Sequence, residues 1–378
     1  IPEMDRVLGG GVLSGSLSLL GGNPGIGKST LALQILPVFE KPVLYISAEE
    51  SEAQVGLRAK RLGVTSEKLH LSSENNIDLI LDQVSLINPE LVVIDSIQTI
   101  FSDQLDSLPG SVSQIRECGQ QFLQLAKQQD IAIMMIGHVT KEGVIAGPKM
   151  LEHMVDTVLY LEGDDKYDHR ILRCAKNRFG TTNEVGIFQM ENNGLIEVNN
   201  PSELFLSERQ NNITGSTIFP SLEGSRPILV EIQALASNAN FGTPQRNVNG
   251  FDYKRLAMLL AVLEKRLGIQ TGTKDVFINL VGGLKVNDPA ADLSVIAAIA
   301  SSIKDKLISD SVVLIGEVGL GGEVRSVRGL DVRINEAKSL GFKKVIAPNS
   351  NVERLKRLGK SIDIIGISNV VEVFQKLF

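Results

Sequence analysis

Cysteine is scarce in this sequence. The 378 residues hold two, Cys118 and Cys174, which lie far apart and form no CxxC pair. That excludes a zinc site built from this chain's own thiols and points to a reducing compartment. Long apolar runs are missing as well. No stretch reaches the roughly 18 apolar residues that a membrane-spanning helix needs, so no membrane association is expected. The opening IPEMDRVLGGG has neither a basic n-region nor an apolar h-region, so no signal peptide is expected either. The expected address is cytoplasmic. No fixed-period repeat and no low-complexity tract occurs, which sets aside a repeat array.

Charge is ordinary in amount, at 22% Asp, Glu, Lys and Arg, but uneven in placement. Residues 1–199 carry 16 Lys+Arg against 26 Asp+Glu, a balance of −10, whereas residues 200–378 carry 22 against 18, a balance of +4. The length suits two domains, each with its own core. A mildly basic second half is compatible with nucleic acid without requiring it.

The first half alternates strands and helices. SLSLLGG (16–22) reads as a strand running into a glycine turn, followed by a helix from Lys28 to Phe39. PVLYISAE (42–49) is a buried strand, and Ser51 caps a helix that stops at Gly63. LVVID (91–95) and IAIMMIGH (131–138) are continuous apolar strands on either side of a helix at 112–129. Such strands predict a largely parallel sheet covered on both faces. DTVLYLEG, RILRCAKNR and EVGIFQM have period-two character and predict antiparallel edge hairpins. The first domain is expected over 1–198. The polar stretch 199–215, with Pro201, reads as a linker.

Residues 216–378 have a different pattern. Strands are expected in TIFPSLEGSRPILVEIQALAS, DVFINLVGG and KVIAP, a hairpin in VVLIGEVGLGGEVRSV, and helices at 251–268, 288–305 and 329–342. This is an α+β domain of its own.

GGNPGIGKST contains Gly22-x-x-x-x-Gly27-Lys28-Ser29, the P-loop pattern, between a strand and a helix. Its glycines let backbone N–H groups turn inward around phosphate oxygens. Gly22, Asn23, Pro24, Gly25, Ile26, Gly27, Lys28, Ser29 and Thr30 form the nucleotide-binding stretch. Lys28 is expected on the β and γ phosphates, and the Ser29 hydroxyl on Mg²⁺. The helix that follows offers its positive end. Asp95 ends an apolar strand and is the second metal-side candidate. Glu49 and Glu50 follow the strand expected beside the P-loop strand. Either could orient or deprotonate the attacking water, and Glu49 is preferred. ATP and Mg²⁺ are the expected cofactors, with no zinc.

This order of P-loop, glutamate and aspartate resembles the RecA-like ATPase core. GGNPGIGKST, YISAEES, VIDSIQT, the run from Gly137 to Asp164 and KNRFG together resemble the bacterial RadA (Sms) family of DNA-repair proteins, which is not the archaeal recombinase of the same name. The resemblance covers nearly the whole chain. It implies a homo-hexameric, ATP-driven helicase or translocase of the DnaB type. Such a motor promotes branch migration on single-stranded and branched DNA and has the RecA recombinase as a partner. The family also carries an N-terminal four-cysteine zinc finger, which this sequence does not contain.

The resemblance assigns KNRFG to the subunit interface. There Lys176 and Arg178 would reach the γ-phosphate held by a neighbour, a device worth roughly 10³–10⁵ in rate. Phe179 and Gly180 would fix the turn that presents them. By analogy with RecA-like proteins, His138 would sense the γ-phosphate. The loop from Val139 to Met150, with Lys141 and Lys149 among glycines, would track DNA. The loop 101–111 is a weaker candidate, having no positive charge.

Residues 216–378 resemble the proteolytic domain of Lon, but without its Ser-Lys dyad. Ala290 in DPAAD stands where the nucleophilic serine would be, and Asp331 and Arg333 in RGLDVR where lysines would be. Alanine is no nucleophile, and arginine stays protonated and is no base. The expected role is ring assembly plus a basic surface from Arg325, Arg328, Lys343 and Lys344. A non-motor nucleotide switch and an ATP-dependent peptidase are the alternatives to a DNA-dependent ATPase motor.

Overall fold

The computed structural model describes residues 1–138, 148–163, 168–239, 242–352 and 362–378. The chain divides into two units, Ile1–Asn199 and Asn200–Phe378.

The first unit opens with α1 (Pro2–Leu8), β1 (Leu17–Gly22) and α2 (Lys28–Gln34). Next come β2 (Val43–Ser47), α3 (Glu52–Arg61), β3 (Leu69–Ser72), α4 (Ile77–Ile87) and β4 (Leu91–Asp95). The helix α5 (Val112–Gln129), β5 (Ala132–His138) and α6 (Pro148–Leu151) lead into a meander. That meander is β6 (Thr157–Glu162), β7 (His169–Asn177), β8 (Val185–Glu191) and β9 (Gly194–Glu197).

These nine strands form one sheet in the order β3-β2-β4-β5-β1-β6-β7-β8-β9. The pairs from β3 to β6 are parallel, and those from β6 to β9 antiparallel. Strand parity sends alternate side chains into two cores. Leu20, Tyr45, Val93 and Met134 meet Leu31 and Leu33 of α2 on one face. Leu19, Leu44, Ile94 and Met135 meet Ile80 of α4 and Phe122 of α5 on the other. The parallel strands read as unbroken apolar runs because both faces are covered.

Local signals set most boundaries. Ser51 and Gln54 form a reciprocal capping box at the start of α3. Ser111 caps α5, which ends at Asp130 in the left-handed conformation. The helix expected to run to Phe39 stops at Gln34, and a 3₁₀ turn, Leu36–Val38, replaces its end. Pro37 is the reason: it has no N–H to donate and disfavours helical geometry in the residue before it.

The second unit begins with α7 (Pro201–Leu206), inside the stretch expected as a linker. Asn200 accepts from the Glu203 N–H and Pro201 occupies the first turn, a strong helix start. Ser202 is buried: its hydroxyl donates to Glu336 and accepts from the Leu229 N–H. Residues 201–206 of the stretch are therefore a packed helix.

After it come β10 (Ser216–Glu223), β11 (Arg226–Asn238), β12 (Arg246–Asn249), α8 (Tyr253–Leu267), β13 (Lys274–Leu280) and α9 (Asp292–Lys304). The chain continues through β14 (Val312–Leu314), β15 (Glu317–Val318), β16 (Val324–Arg325), α10 (Leu330–Ser339) and β17 (Lys344–Pro348). It ends with α11 (Asn349–Val352), β18 (Asp363–Ile367) and α12 (Val370–Leu377). The main sheet has the order β12-β13-β11-β10-β14-β17-β18. The hairpin expected over 312–327 is split. β14 joins the main sheet in parallel with β10 and β17, and only the short pair β15–β16 is a hairpin. Residues Asp292 to Ser301 of α9 are all buried, so this alanine-rich helix is enclosed on every side.

Candidate nucleotide site

The parallel strands bring their C-terminal ends together. Gly22 pairs with His138, Ser47 with Asp95, and Asp95 with Ile136. Crevices outside such strand ends are where open α/β sheets bind ligands.

The loop between β1 and α2 turns on glycine. A Cβ on Gly22 would lie 2.5 Å from the Leu161 carbonyl oxygen, and Gly27 has φ +114°. No other residue fits both positions without strain. Lys28 is 4% exposed, and its ammonium donates to the carbonyls of Gly22 (2.9 Å) and Asn23 (2.8 Å). Burial pushes its pKa down to about 8, against the pull of Asp95 and Glu49. A buried cation that among the described residues is held by loop carbonyls suits a phosphate anion. Ser29 and Thr30 follow in the first turn of α2, both partly exposed.

Asp95 is 9% exposed and accepts a 2.5 Å hydrogen bond from the Tyr45 hydroxyl. Burial first, and then the Asp95 charge, hold the Tyr45 pKa well above the usual tyrosine range, so the phenol keeps its proton and donates. Hydroxyl and carboxylate oxygens from Ser29 and Asp95 are hard donors and fit a divalent cation on a nucleotide's phosphates.

The two glutamates separate clearly. Glu50 pairs with Arg58 at 2.6 Å. Glu49 accepts from the Ser96 hydroxyl at 2.6 Å and lies 3.6 Å from His138 Nε2. Among the described residues the buried His138 Nδ1 has no hydrogen-bond partner. The Gln98 amide donates to the His138 carbonyl at 3.4 Å. Glu49, Ser96, Gln98 and His138 thus form one cluster at the strand ends, while Glu50 serves α3.

KNRFG lies at the end of β7. An extra residue, Ala175, bulges where Val158 and Leu159 face Lys176 and Cys174. Bulges of this kind re-aim side chains. Within this chain Lys176 Nζ donates to the carbonyls of Glu152 (2.7 Å), His153 (3.3 Å) and Val155 (2.7 Å). Burial and then the Arg178 charge keep its pKa below the usual lysine range. Arg178 pairs with buried Asp156 at 3.2 Å, and Lys127 reaches the same carboxylate at 2.8 Å. Asn177 also holds the turn, and a Cβ on Gly180 would lie 3.1 Å from its side-chain amide. The Asn177 side chain donates to the Leu8 carbonyl and accepts from the Phe179 N–H, whereas Phe179 is exposed.

Lys141 and the Lys149 side chain lie outside the described residues. Tyr45, Ser96 and Asp156 carry much of the geometry and were missed by sequence reading. Ser96 and Asp156 stood inside motifs already quoted, next to or near assigned residues, and that adjacency was the available signal.

In the second unit Ala290 is buried, and Asp288 accepts from its N–H at 3.0 Å. Arg333 is 1% exposed. Its guanidinium pairs with Asp288 at 2.5 Å, donates to the carbonyls of Arg328 and Pro220, and stacks over Phe219. At these positions the structure has a buried alanine and a closed ion pair. Of the basic-surface candidates, Arg325 pairs with Glu323 at 2.5 Å.

Residues 1–144 match the AAA domain family, and residues 264–378 the Lon protease (S16) C-terminal proteolytic domain. The chain is 50% identical to the DNA repair protein RadA of Halalkalibacterium halodurans, over 99% of this chain and 82% of that protein. It is 51% identical to the RadA of Bacillus subtilis, with the same two coverages. Against the RadA of Streptococcus pneumoniae the identity is 50%, over all of this chain and 90% of that one. Among the described residues no helix is long and apolar enough to cross a membrane. The first unit is an α/β ATP hydrolase with an AAA-family domain, and the chain belongs to the RadA family.

Proposed function

We propose that this protein is a DNA-stimulated ATPase motor of recombinational DNA repair. It works as a homo-hexameric ring of the DnaB type in the cytoplasm and drives branch migration on single-stranded and branched DNA beside the RecA recombinase. The observation that carries this reading is the cluster of Glu49, Ser96 and His138. It sits at the nucleotide crevice, and His138 directly precedes the lysine-bearing stretch 139–150 in sequence. A change at Glu49 on ATP hydrolysis would therefore pass through its contact with His138, and from there along the backbone, to the DNA-tracking residues.

In this reading Lys28 binds the β and γ phosphates, which supply the reaction's energy when ATP is bound. Ser29 and Asp95 hold Mg²⁺. Glu49 orients and deprotonates the attacking water. His138 reads the occupied or empty state of the γ site through Glu49. Lys141 and Lys149 neutralise DNA phosphates. Lys176 and Arg178 leave their own carbonyls and Asp156 to face the ATP of the next subunit. The Lon-like unit assembles the ring.

ATP turnover with and without single-stranded DNA tests the proposal. The motor reading expects several-fold stimulation that weakens with salt, because each phosphate contact releases about one counterion. Turnover indifferent to DNA at low salt would favour the non-motor switch.

A further inference from the structure

Tyr45 sits in the middle of β2, buried, between the sheet and the P-loop helix α2. In the parallel register Tyr45 faces Val93, and Ser47 faces Asp95. All four side chains lie on one face of the sheet, so the phenol extends along that face toward the strand ends. Its hydroxyl reaches Asp95 Oδ2 at 2.5 Å. Among the described residues no hydrogen bond reaches Asp95 Oδ1. The hydroxyl thus reaches a residue assigned to the metal side of the site, although 50 residues separate the two in sequence.

We infer that Tyr45 is a positioning residue for the metal site: its hydroxyl clamps one oxygen of Asp95 and leaves the other aimed at the cation. The inference rests on the ATP-hydrolase reading of this site. A carboxylate next to an open crevice can rotate about its last bond. A donor on Oδ2 fixes that rotation, and packing against α2 fixes the donor. Groups that orient metal ligands in this way change metal affinity by roughly 10–100-fold when removed. Phenylalanine at this position would fill the same core, and only the clamp would be lost.

The test is Mn²⁺ binding to the full chain with ADP, read by electron paramagnetic resonance of free Mn²⁺, for the wild type, Tyr45→Phe, Asp95→Asn and the double variant. Metal-free ADP affinity is measured alongside. Tyr45→Phe is expected to weaken Mn²⁺ by about 10-fold or more while leaving metal-free ADP affinity unchanged. Asp95→Asn is expected to weaken Mn²⁺ further, and adding Tyr45→Phe to it should cost nothing more. Unchanged Mn²⁺ affinity in Tyr45→Phe, with Asp95→Asn weakened, overturns the role of Tyr45 alone. Wild-type affinity in Asp95→Asn overturns the metal-site reading and the Tyr45 role with it. Equal losses of Mn²⁺ and metal-free ADP in Tyr45→Phe, or an added loss in the double variant, would make Tyr45 a packing residue only. If Tyr45→Phe alone unfolds, the comparison of Asp95→Asn with the double variant in stabilising ADP decides between the same two outcomes.

Discussion

Two buried cations show how the halves of this molecule differ. Lys28 in the first unit is held by two loop carbonyls, with a pKa pushed down to about 8 by burial. Arg333 in the second is closed by Asp288, two carbonyls and an aromatic face. The first is a charge awaiting an anion. The second has had its charge consumed by the fold. Burying an unpaired charge costs stability, so a protein keeps one where function requires it. A buried pair can be kept for packing alone.

The contrast is sharpest under mutation. Lys28→Ala should lower ATP turnover by roughly two orders of magnitude or more, since a cation acting on transferring phosphoryl oxygens is worth several kcal/mol. The unfolding midpoint should not fall, because a strained buried charge has been removed. Near-wild-type turnover would break the assignment. Arg333→Met should do the reverse. Turnover per folded subunit should hold, while the second unit loses about 3 kcal/mol in denaturant melts, as when one partner of a buried pair is removed. Replacing Asp288 by Leu as well should recover much of that loss.

Ala290→Ser should give no cleavage of casein, with or without ATP. It restores a hydroxyl but not a base, since Arg333 stays protonated and paired. Replacing Lys141 and Lys149 together by alanine should weaken single-stranded DNA binding and lower the salt slope by about one per lysine. Basal turnover without DNA should change little. An unaltered slope would place the DNA path elsewhere.

The smallest effect is on pH. Phosphate binding raises the Lys28 pKa above its free value of about 8. The bound state then holds the proton more tightly, so ADP affinity should be flat below pH 8 and fall as pH rises through it. Calorimetry across pH 7–9 (a range set by that pKa) reads this. Affinity that rises over the range would contradict the charge state assigned to Lys28.

Much of this was legible from local pattern. β4 (Leu91–Asp95) and α5 (Val112–Gln129) were expected at their observed bounds, because one is an unbroken apolar run and the other is periodic behind a serine cap. The P-loop needed only its glycines. By contrast α4 was not read, although Asn76 caps it and Ile77, Ile80 and Val84 mark its buried side. The linker reading gave weight to polarity and overlooked the Asn200-Pro201 helix start. The site's other supports are long-range. Tyr45 meets Asp95 across 50 residues, and Arg333 meets Asp288 across 45. In sequence Tyr45 is one more apolar residue in a strand, and only the register of β2 against β4 reveals its hydroxyl's partner.

The first unit differs from the second in one more respect, and the account depends on it. Within one chain Lys176 and Arg178 are engaged on their own subunit, on three carbonyls and on Asp156. In the proposed function the ATP site is completed by a second copy. Lys28→Ala has a dead P-loop and an intact KNRFG turn, and Lys176→Ala has the opposite. Each should be nearly inactive alone. After subunit exchange in an equal mixture, verified independently, about a quarter of the interfaces in a cyclic ring pair an intact P-loop with an intact finger. ATP turnover should reappear in that mixture. A mixture as silent as its two components would contradict completion by the neighbour and leave Lys176 as a fastener of its own subunit.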